Sequence, residues 1–224
     1  MKFRHEYKFD LNYSDYLITR GRLKAVLPCD ENGGEMGEYH VRSIYFDTPQ
    51  DKVLREKIDG VDRREKFRMR IYNLDASNVK LEKKSKINGL GYKESAVLTK
   101  EQANAILSGD TGWMANSDNQ LILELYAKMK NMILRPKTIV EYIREPFVHP
   151  AGNTRITLDR NLRTGICRTD ALTFDAVTIP ARDEPIILEV KYDEFLPQIV
   201  RDIIQLEGRR AGAFSKYAAC RVYG

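Results

Sequence analysis

KFRMRIY, residues 66–72, alternates Lys66, Arg68 and Arg70 with Phe67, Met69 and Ile71. In a strand successive side chains face opposite sides, so this run offers three cations to one face and three apolar groups to the other. Four more segments repeat the pattern: RHEYKF (Arg4, Glu6, Lys8), VKLEKKSK (Lys80, Glu82, Lys84), TRITLDRN (Arg155, Thr157, Asp159) and ILEVKYD (Glu189, Lys191). A half-wetted antiparallel sheet accounts for the alternation in any one of them. It does not account for the charge type. Cations dominate and single carboxylates are set among them, a combination suited to holding a polyanion together with a divalent metal.

Around these segments the chain reads as strands and helices joined by short turns. Ser14 is the expected N-cap of a helix through Leu17, Ile18, Leu23, Val26 and Leu27 that Pro28 ends. HVRSIYF, REKFRMRIYN, NVKLEKKSK and GYKESAVL read as strands, the last two joined at the Asn88-Gly89 hairpin signal. Thr99 and Gln102 form a capping box, and Leu121, Leu125 and Met129 mark an amphipathic helix. KTIVEYIREPF, TRITLDRNL, LTFDA with VTIP, and PIILEVKYD are four further strands, followed by a closing helix LPQIVRDIIQL and a C-terminal tail GAFSKYAACRVY. The expectation is a mainly antiparallel α+β fold, an eight-stranded β-barrel forming a polar tunnel with helices packed on the outside. One domain spanning residues 1–224 suits this length.

Composition narrows the function classes. The chain is 42% hydrophobic and 31% charged, so it can bury a core, and its net charge of +5 permits anionic partners without requiring them. Cys29, Cys167 and Cys220 lack metal-ligand spacing, which points to a reduced, cytoplasmic setting without disulfides or zinc. No apolar run reaches the length of a membrane span. No recognition helix or aromatic stacking motif points to nucleic acid.

RHEYKF, YFDT, KFRMRIY, LEKKSK, GYKES, EYIREPF, RITLDRN, LEVKYD and FSKY resemble, in this order, the motifs of the VTC domain, the polyphosphate polymerase family of the triphosphate tunnel superfamily. The resemblance runs from Arg4 to about Tyr217. It implies a tunnel that binds ATP and a growing phosphate chain with Mn2+ or Mg2+ and moves the γ-phosphate of ATP onto that chain. Carried over to this sequence, Lys8, Arg68, Arg70, Lys84 and Arg155 would be catalytic. Lys93, Arg144, Lys191 and Lys216 would bind phosphate, and Glu189, with Glu6 and Glu82, would hold the metal. Pyrophosphate or polyphosphate would accept the phosphoryl group. The resemblance does not carry over coupling to a membrane or to a membrane-protein partner.

The residue types suit that chemistry. Arg presents a planar fork to two phosphate oxygens, Lys a point charge, and phosphoryl transfer asks for positioning and charge neutralisation rather than a side-chain nucleophile. Hydrolytic branches of the superfamily carry ExExK in the first strand, where this chain has Arg4, Glu6 and Lys8. A cation in the first position disfavours a two-metal site that activates water. The alternatives are a metal-dependent triphosphatase of the same fold, acting on tripolyphosphate or a nucleoside triphosphate, and a non-catalytic polyphosphate-binding module. Individual positions also carry simpler readings. Glu82 is a tunnel carboxylate or a cross-face charge partner, Asp159 binds metal or balances arginines, and Tyr72, Tyr92 and Tyr142 are candidates for the lining. His5, His40 and His149 form no pattern, and VDRREK near 61–66 is a solvated turn or a guide for the emerging polymer.

Overall fold

The computed structural model describes residues 4–88, 90–181, 183–206 and 208–222. Along the chain run β1 (His5–Leu11), α1 (Tyr13–Val26), β2 (Tyr39–Asp47), α2 (Lys52–Ile58), β3 (Arg64–Tyr72), β4 (Asp75–Ile87) and β5 (Leu90–Leu98). There follow α3 (Lys100–Ser108), α4 (Gln120–Asn131), β6 (Arg135–His149), β7 (Thr154–Thr164), β8 (Ile179–Pro180), β9 (Ile186–Tyr192), α5 (Gln198–Ile204) and α6 (Lys216–Cys220).

Eight strands form one antiparallel path, β1-β9-β7-β6-β2-β3-β4-β5, with β8 attached to β7. The path curls into a half-barrel whose edges meet, among the described residues, at one isolated bridge, Arg4 to Gly91. Register places the polar rows on the concave face: Lys8 opposite Glu189, Glu189 opposite Thr157, Arg144 opposite Asp159, Arg68 opposite Glu82.

The convex face carries the core. Phe67, Met69, Ile71 and Leu81 pack under Ala103 and Ile106 of α3 and Leu121 and Leu125 of α4. Phe147, Ile156, Leu158, Leu188 and Val190 pack under α1 and α5. Truncating one of these buried side chains to alanine costs about 2–5 kcal/mol, so the apolar alternation holds the cationic rows on the opposite face. The Thr99–Gln102 capping box opens α3.

Three local readings change. Asn12, not Ser14, caps α1, because it is still extended and its Oδ1 accepts the Asp15 N–H at 2.7 Å. LTFDA is not a strand; the buried Arg42 guanidinium takes the Thr173 carbonyl at 2.5 Å, and only Ile179–Pro180 pairs with β7. The tail is not loose. Lys216–Cys220 is a helix seated on the concave side, where Tyr217 and Cys220 are buried with Tyr39, Val41, Val140 and Tyr142. Asn88 has the left-handed φ of 51° that a tight hairpin loop requires, whereas Gly89, like Tyr223 at the end of the tail, lies outside the described residues. Among the described residues no helix is long and apolar enough to cross a membrane.

Candidate active site

The concave face encloses a cavity of about 450 Å³ lined by Lys8, Lys66, Arg68, Arg70, Lys80, Lys84, Lys93, Arg144, Arg155, Lys191 and Lys216, with Glu82 and Glu189 as the lining carboxylates. Tyr39, Tyr45, Tyr72 and Tyr142 complete much of the wall. All nine cations expected from the sequence are brought together here. Glu6 stands beside the cavity, more exposed, with Lys8 and Lys191 each 3.4 Å away.

The cations fall into two groups. In the first, each has a carboxylate. Arg144 makes a two-pronged contact to Asp159 at 2.6 and 2.7 Å, and Lys216 reaches the same carboxylate at 2.6 Å. Arg155 pairs with Asp30 at 2.9 Å and donates to the Tyr39 hydroxyl at 3.1 Å. Arg68 donates to Glu82 at 2.6 Å and to the Tyr45 hydroxyl at 2.9 Å, while Lys93 pairs with the other Glu82 oxygen. Glu82 is therefore the charge partner of two cations at the base of the wall. Lys191 and Lys8 approach Glu189 at 2.5 and 3.7 Å.

In the second group, Lys66, Arg70, Lys80 and Lys84 have no carboxylate in ion-pair contact among the described residues. Arg70 donates only to hydroxyls, Ser43 at 3.0 Å and Tyr142 at 3.1 Å. Lys66 and Lys80 lie over the Tyr45 and Tyr72 rings. Lys84 stands directly opposite Lys66 on one side and Lys93 on the other. Among the described residues these four supply positive charge with no carboxylate paired to it.

Their crowding alters protonation. Repulsion from Lys191, then burial and Arg68, holds the Lys84 ammonium well below the usual lysine range. Burial, helped by Arg68 and Lys8, lowers Lys66 to about 8. Burial pushes the Tyr45 phenol upward, yet Arg68, Lys66 and Arg70 overcome it and bring it down to about 7. Burial likewise opposes ionisation of Glu189, but Lys191, Lys8 and Arg144 keep it well below the usual carboxylate range. At Lys84, Tyr45 and Glu189 neighbouring cations set the direction of the shift, and at Lys66 burial leads with the cations adding to it.

Two carboxylates near this positive potential, Glu189 and Glu6, stand on paired strands and share Lys8 and Lys191. Among the described residues no three His, Cys, Asp or Glu side chains form a metal cage. One or two carboxylates suit Mg2+ or Mn2+, which keep several waters and take further ligands from substrate phosphates. Glu189 and Glu6 fit that pattern. Glu82 is engaged elsewhere, by Arg68 and Lys93.

Some signals were missed and some candidates fall away. Lys66 and Lys80 sit on the face the alternation marked. Tyr39 and Tyr45 could have been found because in β2 they alternate onto the same face as Ser43. Tyr72 and Tyr142 line the cavity, whereas Tyr92 stands opposite Ser85, off the cationic row. His5 stacks on Tyr192, His40 approaches Glu141, and His149 accepts the Ala151 N–H, none of them lining the cavity.

The model of the VTC domain matches residues 3–223. No curated protein matches the chain. Among solved structures, the chain is similar to a putative adenylyl cyclase from Hippeastrum described as having a dominant triphosphatase activity. The TM-score is 0.57 at 13% identity, covering 98% of this chain and 95% of that one. A putative adenylate cyclase from Bacillus halodurans is similar at a TM-score of 0.50 and 12% identity, covering 85% of this chain and 80% of that one. At such identities the likeness is one of fold.

Proposed function

Because this chain belongs to the VTC domain family, we propose that it is an ATP-dependent polyphosphate polymerase, transferring the γ-phosphate of ATP onto the end of a polyphosphate chain held in the cavity. The observation that carries this reading is the group of cations without carboxylate partners, Lys66, Arg70, Lys80 and Lys84. Stripping water from a polyphosphate is costly unless matched cations replace it, and these four are available without breaking an internal ion pair.

A terminal phosphate oxygen of the chain attacks the γ-phosphorus of ATP; the bond from that phosphorus to the β,γ-bridging oxygen breaks, and ADP leaves. Acceptor and donor are both phosphate oxygens, so no protein nucleophile is needed. We assign Lys8, Arg68, Arg70, Lys84 and Arg155 to the reacting phosphates. Lys93, Arg144, Lys191 and Lys216 hold the remainder of the substrates. Glu189 and Glu6 would hold a divalent cation, which when bound would neutralise phosphate oxygens and polarise the transferring group. Glu82 keeps Arg68 extended toward the cavity.

A second reading, a metal-dependent triphosphatase, draws on the fold likeness to the Hippeastrum protein. Arg4 weighs against it. Its guanidinium pairs with Asp193 at 2.9 Å, leaving a cation where hydrolytic relatives carry a carboxylate. Incubation with ATP and Mn2+ followed by gel separation decides: long phosphate chains are expected, and orthophosphate alone would replace the polymerase with the hydrolase. If the protein binds polyphosphate but consumes no ATP, it is a binding module.

A further inference from the structure

The cationic rows do not stop at the cavity. On β3 the concave-side row runs Arg64, Lys66, Arg68, Arg70, and on β4 it runs Lys80, Glu82, Lys84, Lys86. Register sets Lys66 opposite Lys84 inside the cavity and Arg64 opposite Lys86 beyond it. Like charges directly opposite one another destabilise a sheet, so two consecutive such pairs are an arrangement with a cost.

A third cation joins the outer pair. Lys57, in the last turn of α2, is half-buried, and its ammonium is lowered by burial and by Arg64, Lys8 and Lys86. Among the described residues neither Lys57 nor Lys86 has a carboxylate in ion-pair contact, and the Arg64 guanidinium donates to the Val61 carbonyl. Acids nearby are turned to other work. Glu65 pairs with Lys83 and Lys128 on the opposite face, Glu56 with Lys52, and Asp62 accepts the Asn88 N–H. The outer cluster continues the unmatched row through Lys66 and Lys84 in one line, and a linear anion leaving the cavity along that row meets it next.

We propose that Lys57, Arg64 and Lys86 form an outer binding site for the part of a linear polyphosphate chain that extends beyond the cavity. This rests on the polyphosphate reading of the cavity. It adds a length dependence: short phosphates fill the cavity alone, and long ones engage both sites.

The test compares tripolyphosphate with long-chain polyphosphate by titration calorimetry on the full chain, for wild type and for the triple variant Lys57→Gln, Arg64→Gln, Lys86→Gln. The variant should lose about tenfold in affinity for the long chain and keep its affinity for tripolyphosphate within about twofold. The slope of log affinity against log salt for the long chain should fall by about two. Its melting temperature should hold or rise, because an opposed like-charge pair has been removed; a purely structural role would lower it. Should the triple variant not fold, Lys57→Gln alone decides by the same comparison, with a smaller loss expected for the long chain only.

Unchanged long-chain affinity overturns the outer site and leaves the function of the cavity standing. Equal loss for both lengths also overturns it, since the three residues would then belong to the cavity. With an oligonucleotide titrated as a third probe, a loss confined to it would assign the rim to another polyanion and overturn the outer site too. If wild type binds neither phosphate probe, the cavity reading itself fails and takes the outer site with it.

Discussion

Raising the pH from 7 to 9 should stabilise the free protein and weaken its hold on polyphosphate. Tyr45 titrates at about 7 and Lys66 at about 8 in the folded chain, against ordinary values of 10.0 and 10.5. Between pH 7 and 9 the unfolded chain therefore keeps protons that the native protein has released, and stability rises with pH wherever the unfolded state binds more protons. For Lys66 alone, integration from pH 7 to 9 gives about 1.4 kcal/mol, or ~3–5 °C in melting temperature for a chain of this size. Bound polyphosphate restores the Lys66 proton, so by the same linkage affinity should fall about tenfold over that interval. Scanning fluorimetry across pH follows the first effect. Calorimetry in two buffers of different ionisation enthalpy follows the second, with proton uptake at pH 8 as its signature. Lys66→Met should raise the melting temperature at pH 7 and flatten both profiles. A melting temperature that falls from pH 7 to 9, with affinity unchanged, would refute the reasoning.

Arg68→Ala leaves Glu82 buried with Lys93 as its remaining ion-pair partner and should cost about 3 kcal/mol or more, read by denaturant unfolding. Glu189→Gln should tighten metal-free polyphosphate binding, since Lys8 and Lys191 lose a competing anion, while lowering Mn2+-dependent turnover by about tenfold to a hundredfold. Weaker metal-free binding in that variant would contradict the charge argument. Tyr217→Phe removes the 2.6 Å hydrogen bond to Asp47, whose Oδ2 still accepts the Leu54 N–H, so a loss of about 1 kcal/mol is expected in thermal unfolding.

The curled antiparallel sheet was legible because its strands obey a period of two on both faces at once, although the barrel expected from them is a half-barrel. Phe67, Met69 and Ile71 demanded a core on one side, which left Lys66, Arg68 and Arg70 to face a common interior. What stayed hidden depended on partners far away in sequence. Nothing near Glu82 announces that Arg68, fourteen residues earlier, and Lys93 will occupy its oxygens. LTFDA has strand-like composition, but Arg42 from β2 takes its Thr173 carbonyl and that of Ala171 just before it. The Tyr39 and Tyr45 row was visible as spacing, yet a tyrosine acquires meaning only once register sets it beside Arg155 or Arg68. Tyr217 likewise reads as tail until Asp47 supplies an acceptor at the bottom of a half-barrel.

The seam between β1 and β5 gives the molecule an unusual axis of weakness. Among the described residues β1 is held along its length by β9 and meets the other edge only next to its start, at the Arg4–Gly91 bridge, so it is bonded as an edge strand although it stands in the wall. Local opening favours segments with few bonds, and here such opening would unzip the wall lengthwise instead of widening either mouth. A polymer could then be laid into the groove from the side, along its whole contour, with no free end to thread.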